Sequence, residues 1–451
     1  MTNVLVITGD TIGPRMAGPA IRAWKMAELL SADNDVALMT TTTLEPIDAP
    51  FDLQRVRPGE DAKFARLHDW AHVVVFQGHA MDQFAALRNS SKIIVADIYD
   101  PMHLEMLEQG RELGEATWKL RVTTATRVLN DQLARADFFL CASERQRLFY
   151  LGQLTTLGRV NPATYAADPH LERLISVAPF GLDDSQPTHT RDVVKGVREG
   201  IRKTDKLIIW GGGLYNWFDP LTLIRAVAQL SVRHSNVRLL FMGTKHPVVD
   251  EMGIVTHSLR LAQELGVLNK SVFFNESWVQ FSDRQNWLLE ADAGVSTHMS
   301  HVETTFAFRT RILDYLWTGL PMVVTEGDSF AELVETQGLG IVVPPQNVDA
   351  LEHALERVLF DKKFVAVARA NVQRVRAEFF WDKALSPLIS FVKNPRHAAD
   401  YMIDRPALSQ DGKYRKPYGL THNARMFWHY LRSEGPGRVA KRIMSRLSKT
   451  R

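Results

Sequence analysis

Four charged residues fall within one stretch, HVETTFAFRTRILDYLWTGLP, at residues 301–321. Glu303 precedes a helix-like run, Arg309 and Arg311 lie inside it, and Asp314 stands behind them. With a helix starting near Thr305, the two guanidiniums occupy its first two turns. A helix start attracts anions through free N–H groups and the macrodipole. Guanidiniums add bidentate donors suited to a diphosphate. Asp314 follows Arg311 by three residues, the spacing of a structural ion pair. A carboxylate there can also accept hydrogen bonds from ribose hydroxyls. The set as a whole, with Glu303 and a second arginine, reads as a site for a diphosphate sugar.

Two glycine-rich segments fit that chemistry. Gly211, Gly212 and Gly213 follow a strand-like run and precede LYNWFDP and a helix. Glycines there let backbone N–H groups approach a phosphate, although a plain strand-to-helix turn uses them too. TGDTIGPRMAGPAIRAW (8–24) is a second loop, in which Gly18-Pro19 opens a helix. Neither loop has the G-x-G-x-x-G spacing of dinucleotide binding. His298-x-x-His301-x-Glu303 has metal-ligand residue types, but no cysteine or third histidine lies nearby. A polar loop is the simpler reading, and no metal is expected.

These residues need a scaffold, and the chain supplies one. The runs VLVIT (4–8), VALMT (36–40), VVVFQ (73–77), KIIVAD (92–97) and FFLCAS (138–143) read as strands buried on both faces. VAPFGLDDSQPTHTRD (177–192) breaks the pattern and reads as a linker. KLIIWGGG (206–213), VRLLFMG (237–243), SVFFN (271–275), AGVST (293–297), PMVVT (321–325) and GIVVPP (340–345) form a second series. Helix starts lie between them: Asp219-Pro220, Ser282-Asp283 and a capping box at Ser329-x-x-Glu332. Alternating strands and helices predict two doubly wound parallel sheets, with ligands beyond the carboxyl ends of the strands.

Composition bounds the rest. A chain of 451 residues suits two domains. The single cysteine, Cys141, rules out an internal disulfide and points to a reducing cytosol. No run is apolar enough to span a bilayer, and the first residues enter a strand without a basic leader. The net charge is +3, yet residues 413–451 alone carry +10, which leaves −7 for the remainder.

WGGGLYNWFDPLTLIRA (210–226), DYLWTGLPMVVT (314–325) and GLGIVVPPQNVDAL (338–351) resemble the C-terminal half of family 4 glycosyltransferases. The loop and helix at 13–40 are similar to that family's opening segment, and FFWDKALSPLISFV (379–392) resembles its crossing helix. The resemblance covers roughly residues 1–395. It implies an α/β chain with the GT-B fold: two Rossmann-like doubly wound domains facing a central cleft, plus a basic C-terminal helical tail. The boundaries expected are 1–181 for the acceptor-side domain and 182–375 for the nucleotide-sugar domain. A crossing helix follows at 376–395 and the tail at 396–451.

The implied activity is transfer of a sugar from a nucleotide-diphosphate donor with retention of configuration, using no cofactor or essential metal. Asp314 falls where the family has the second glutamate of its E-x7-E motif, the ribose-binding one. The first glutamate's position is Phe306, three residues after Glu303, and the usual lysine after the glycine loop is replaced near Phe218. Arg309 and Arg311 are therefore expected to stabilise the departing diphosphate, with Glu303 orienting the donor sugar. Gly18, Gly212, Gly213 and Asp314 are expected to bind the donor. Asp97, Asp100 and His103 face the acceptor on this reading, or simply cap a loop.

In RVAKRIMSRLSKTR (438–451) the apolar residues share one helical face and the basic ones the other. That pattern suits an anionic membrane surface rather than nucleic acid. The expected protein is a hexosyltransferase of the cytoplasmic membrane face, acting on a polysaccharide or lipid-linked glycan. The rivals are a GT-B-fold nucleotide-sugar epimerase and an inactive nucleotide-sugar-binding scaffold.

Overall fold

Continuous apolar runs build strands that can be covered on both faces, and such strands dominate here. In β1 (Asn3–Thr8), Val4, Leu5, Val6 and Ile7 are wholly buried. In a computed structural model, which describes residues 1–14, 16–244, 252–277, 279–403, 428 and 432, two parallel sheets form. The first contains β1, β2 (Asp35–Thr40), β3 (Asp52–Arg55), β4 (Val73–Gln77), β5 (Ile93–Asp97), β6 (Phe138–Cys141) and β7 (Ile175–Val177). Their order is β3-β2-β1-β4-β5-β6-β7. The second contains β8 (Lys206–Trp210), β9 (Val237–Phe241), β10 (Val272–Phe274), β11 (Ala293–Ser296), β12 (Met322–Thr325) and β13 (Gly340–Val343). Their order is β10-β9-β8-β11-β12-β13. The chain reverses its winding between β1 and β4 in one sheet and between β8 and β11 in the other. Crevices open at those two points.

The second crevice is pinned by Tyr315. Its hydroxyl accepts from the Gly211 N–H at 2.9 Å and donates to the Val295 carbonyl at 2.8 Å. One side chain thus ties the end of β8 to β11. Gly294 makes room for it, since a Cβ there would lie 2.5 Å from the ring.

The chain crosses between the sheets twice, and the crossings are bonded together. The Leu182 N–H donates to the Phe379 carbonyl at 2.8 Å, and the Trp381 N–H donates to the Leu182 carbonyl at 3.1 Å. The returning helix Ser386–Lys393 packs on the helix Gly18–Leu30 of the first sheet, with Phe391 stacked on Phe138. On the linker, Glu290 accepts from the N–H groups of Val193, Val194 and Lys195. Residues Met1–Tyr401 form one compact unit. The expected tail helix at 438–451 lies outside the described residues.

Three local expectations are corrected. The 301–321 stretch is not one helix from Thr305 but two, Val302–Phe306 and Arg311–Thr318, with an extended break at Ala307. The Phe306 carbonyl turns to the Gln146 side chain of the other domain at 2.8 Å. The helix at Ser329 is capped one residue earlier, by Asp328 accepting from the Ala331 N–H at 2.8 Å. Asp283 makes no cap bond and instead accepts from Asn286 and Arg191.

Gly294→Ala should drive a methyl group into the Tyr315 ring and cost about 1–3 kcal/mol, the usual penalty of overpacking. Chemical denaturation should show a lower midpoint with an unchanged slope.

Candidate active site

Between the sheets lies a cleft of about 480 Å³, lined by loops at the carboxyl ends of β1, β5, β8 and β9 and by the 308–314 segment. Arg311 is at its centre. The residue begins its helix and is 7% exposed, and its Nη2 donates to the Gly213 carbonyl at 3.0 Å. Its guanidinium lies over Trp210 at 4.2 Å and over Phe218 at 4.0 Å. The buried Nη1 has no hydrogen-bond partner, and among the described residues no carboxylate pairs with the group. Burial lowers its pKa to about 10. Phe218, at the position where the family resemblance leads one to expect a lysine, is thus a platform for an arginine from another element.

The glycine loop frames the same space. Gly212 adopts φ +86°, and a Cβ there would meet nothing within 4 Å. Gly211, Gly212 and Gly213 line the cleft beside Arg311. A backbone in this conformation, a helix start and a guanidinium without a carboxylate partner are groups that can receive an anion.

Glu303 and Arg309 are placed otherwise than expected. Their side chains form a bidentate pair, Nη1 to Oε1 at 2.9 Å and Nη2 to Oε2 at 2.8 Å. Glu303 is 1% exposed and Arg309 5% exposed. Residues six apart lie on different sides of a continuous helix, so the break at Ala307 is what lets them meet. Each neutralises the other. Arg309 still borders the cleft, with Nε buried and unpartnered, whereas Glu303 does not line it. Asp314 does not pair with Arg311. It accepts from Arg284 Nε at 3.1 Å, and that guanidinium lies over Phe281 at 3.6 Å and Trp317 at 4.3 Å. Burial raises the Asp314 pKa, partly opposed by Arg284. Arg284, Phe281, Met242 and Val279 complete this end of the cleft.

On the opposite wall, Gly18 opens its helix without a side-chain cap of its own. The Asp10 carboxylate accepts from the Ala20 N–H, so a protein anion already occupies that helix start. Asp97 is bound on both oxygens, to Arg22 Nε at 2.7 Å and Nη2 at 2.8 Å, with Gln77 adding a third bond. It is a buried structural partner and does not line the cleft. Asp100 does line it, together with Glu105, to which no sequence motif points. His103 is buried against Phe149 with both ring nitrogens unpartnered, and burial lowers its pKa to about 4. Phe149 in turn stacks on Phe306 at 4.4 Å, so Phe306 fills its place with an apolar contact between the domains. His298 faces Asp328 at 3.4 Å, and His301 caps its helix through Nδ1 to the Thr304 N–H. Both histidines have structural partners.

Comparison with known proteins bears on the fold that carries this site. Residues 205–361 match a family model described as glycosyl transferases group 1. Sucrose-phosphate synthase from Thermosynechococcus elongatus superimposes with a TM-score of 0.62 at 14% identity, over 87% of this chain and 98% of that one. HepE from Anabaena, solved with UDP-glucose, gives 0.61 at 15% identity over 88% and 100%. The fold is GT-B. WaaG, a glycosyltransferase involved in lipopolysaccharide biosynthesis, shares this GT-B architecture with a TM-score of 0.58 at 16% identity, over 88% and 99%. An uncharacterized glycosyltransferase of Methanocaldococcus jannaschii is 26% identical over 196 residues, 43% of this chain and 46% of that protein. The match therefore spans about half the length of that relative.

Glu303→Gln should leave Arg309 buried with its charge partner neutralised and one of the two acceptor oxygens gone. Breaking such a pair costs about 3–5 kcal/mol. Thermal unfolding should show a larger loss for Glu303→Gln than for Asp314→Asn, whose site is more open to water.

Proposed function

We propose that the chain is a retaining hexosyltransferase. It moves a sugar from a nucleoside-diphosphate donor to a polysaccharide or lipid-linked glycan acceptor at the cytoplasmic face of a membrane. The observation that carries the reading is Arg311: a buried guanidinium with an unused N–H, in the lining of a cleft beside three glycines. As the sugar–phosphate bond breaks, negative charge grows on the leaving diphosphate. A cation and backbone donors fixed there in advance stabilise that charge more than the ground state. Retention follows if the acceptor hydroxyl attacks from the face the diphosphate leaves, with the departing phosphate taking its proton.

In this reading Arg311 and the amides of Gly212 and Gly213 hold the diphosphate. Arg309 supports it from behind, locked by Glu303. Glu303 is a positioning residue rather than a sugar ligand, because both its oxygens are used. Asp314, aligned by Arg284, accepts from ribose hydroxyls. Gly18 contributes close approach at the cleft mouth rather than a free helix end. The reaction calls on no metal or other cofactor.

The membrane assignment rests on the +10 charge of residues 413–451 and the two-faced pattern at 438–451. No helix among the described residues is long and apolar enough to cross a membrane. WaaG acts in lipopolysaccharide biosynthesis, and this chain is proposed to serve a comparable glycan assembly.

Arg311→Ala should weaken nucleoside-diphosphate binding and slow transfer by about tenfold or more, the contribution of one charge-stabilising donor. Arg311→Lys should restore only part, lacking the planar fork that bridges Gly213 and a phosphate. Calorimetry with UDP, GDP and dTDP, followed by turnover with the sugar of the tightest binder, checks this. Unchanged turnover in Arg311→Ala would refute the assignment, and proton NMR of the product anomer decides retention.

Deleting residues 413–451 should release the protein from anionic vesicles and leave nucleotide affinity intact. Each basic residue near such a surface contributes about 1 kcal/mol, screened by salt. Equal sedimentation of the truncated and full chains would end the membrane role of the tail.

A further inference from the structure

The two walls of the cleft carry opposite charge. The second domain brings Arg284, Arg309 and Arg311 with Asp314. Among the described residues, the charged groups lining the other wall are all acidic: Asp10, Asp100 and Glu105. Asp10 is committed to the backbone N–H groups of Ala20 and Thr11. Asp100 and Glu105 are committed only to each other. Asp100 ends the loop leaving β5, Glu105 lies in the first turn of the helix Met102–Gln109, and their side chains are hydrogen-bonded together. Two carboxyl groups bond in this way only when one keeps its proton. Burial first, then the charge of Asp100, raises Glu105 well above the ordinary range. Asp97, Glu303 and Arg309 are the other charged groups felt by the pair, and Arg309 is already matched by Glu303.

We infer that Asp100 and Glu105 form an acceptor subsite for an uncharged, hydroxyl-bearing group such as a neutral sugar ring, and that they turn away an acceptor carrying phosphate at that position. The inference rests on the nucleotide-sugar reading of Arg311, whose buried, unpartnered Nη1 across the same cleft marks the space as a ligand site. A carboxylic acid bonded to a carboxylate offers acceptor oxygens and one shared proton, which complements neighbouring hydroxyl groups. A phosphate there would lose water and meet two acids with no free cation among the described residues of that wall. Like charges so placed cost several kcal/mol. The same asymmetry orients the donor, drawing its diphosphate to Arg311 and leaving its sugar toward the acids. The acidic wall therefore assigns both ends of the cleft.

The test holds the full chain saturated with UDP and titrates in methyl glucoside or glucose 6-phosphate, observed by NMR. Wild type, Asp100→Asn, Glu105→Gln and the double variant are compared, each checked for a native melting transition. The double variant should bind glucose 6-phosphate about tenfold or more tightly than wild type does, as removal of like charge predicts. The single variants should fall between, and UDP affinity should stay within about twofold. Unchanged glucose 6-phosphate affinity across the variants would overturn the inference. So would a wild type that prefers glucose 6-phosphate to methyl glucoside. If wild type binds no nucleoside diphosphate, the proposed function fails instead. The same titrations without nucleotide still report on the acidic pair, so the two readings fail separately.

Discussion

A guanidinium has been buried at Arg311 with no carboxylate among the described residues paired to it, and the glycine loop and its neighbours are arranged around that fact. Desolvating a cation is costly, and the protein offsets it with two aromatic faces and one carbonyl. Those partners come from β8 and its loop, so Arg311 can exist only where that loop is held close to the helix Arg311–Thr318. Tyr315, one turn along the same helix, provides the hold by bonding Gly211 and Val295. The cation and its support are thus spaced by one turn of helix. What is left over is an N–H without a partner among the described residues, the feature on which the proposed diphosphate grip rests.

Its neighbour Arg309 shows the opposite solution. Here the charge is fully paired, the fork meets both oxygens of Glu303, and the result is rigidity more than binding. Two arginines two residues apart therefore differ in kind, and the break at Ala307 separates them. The rival readings weigh differently against this contrast. A scaffold that only binds nucleotide sugars would keep Arg311 equally well. An epimerase would need the same diphosphate grip but no acceptor wall, and the acidic pair facing the cleft speaks for a second substrate.

The sequence was most legible where burial is two-sided. All six strands of the second sheet and five of the first announce themselves as apolar runs. β3, with the residues Asp52, Leu53, Gln54 and Arg55, lies at an edge and needs no such run, and β7 is only three residues long. The place of the glycine loop and of Arg311 at the cleft was legible from residue type and position. The pairing of Glu303 with Arg309 was not, because helical spacing through Phe306 and Phe308 gives no sign of a break. Its cause, the bond from Gln146 to the Phe306 carbonyl, is 160 residues away. The roles of Asp97 and Glu105 were hidden for a related reason. Both are acids near one strand end, and only the fold tells that Arg22 claims the first and leaves the second to face the cleft.

The paired crossings at Leu182 and Phe379–Trp381 set how the two halves of Met1–Tyr401 can be displaced. Two chain segments joined by an isolated bridge would bend across that line more easily than they would slide along it. Glu290 fixes the next part of the linker to the second domain, so bending is confined to a few residues beside that line. Motion of this kind changes the width of the cleft while leaving its two walls in register. Arg311 and the Asp100–Glu105 pair would then approach or part along one arc, and any molecule held between them would be gripped from both sides at once.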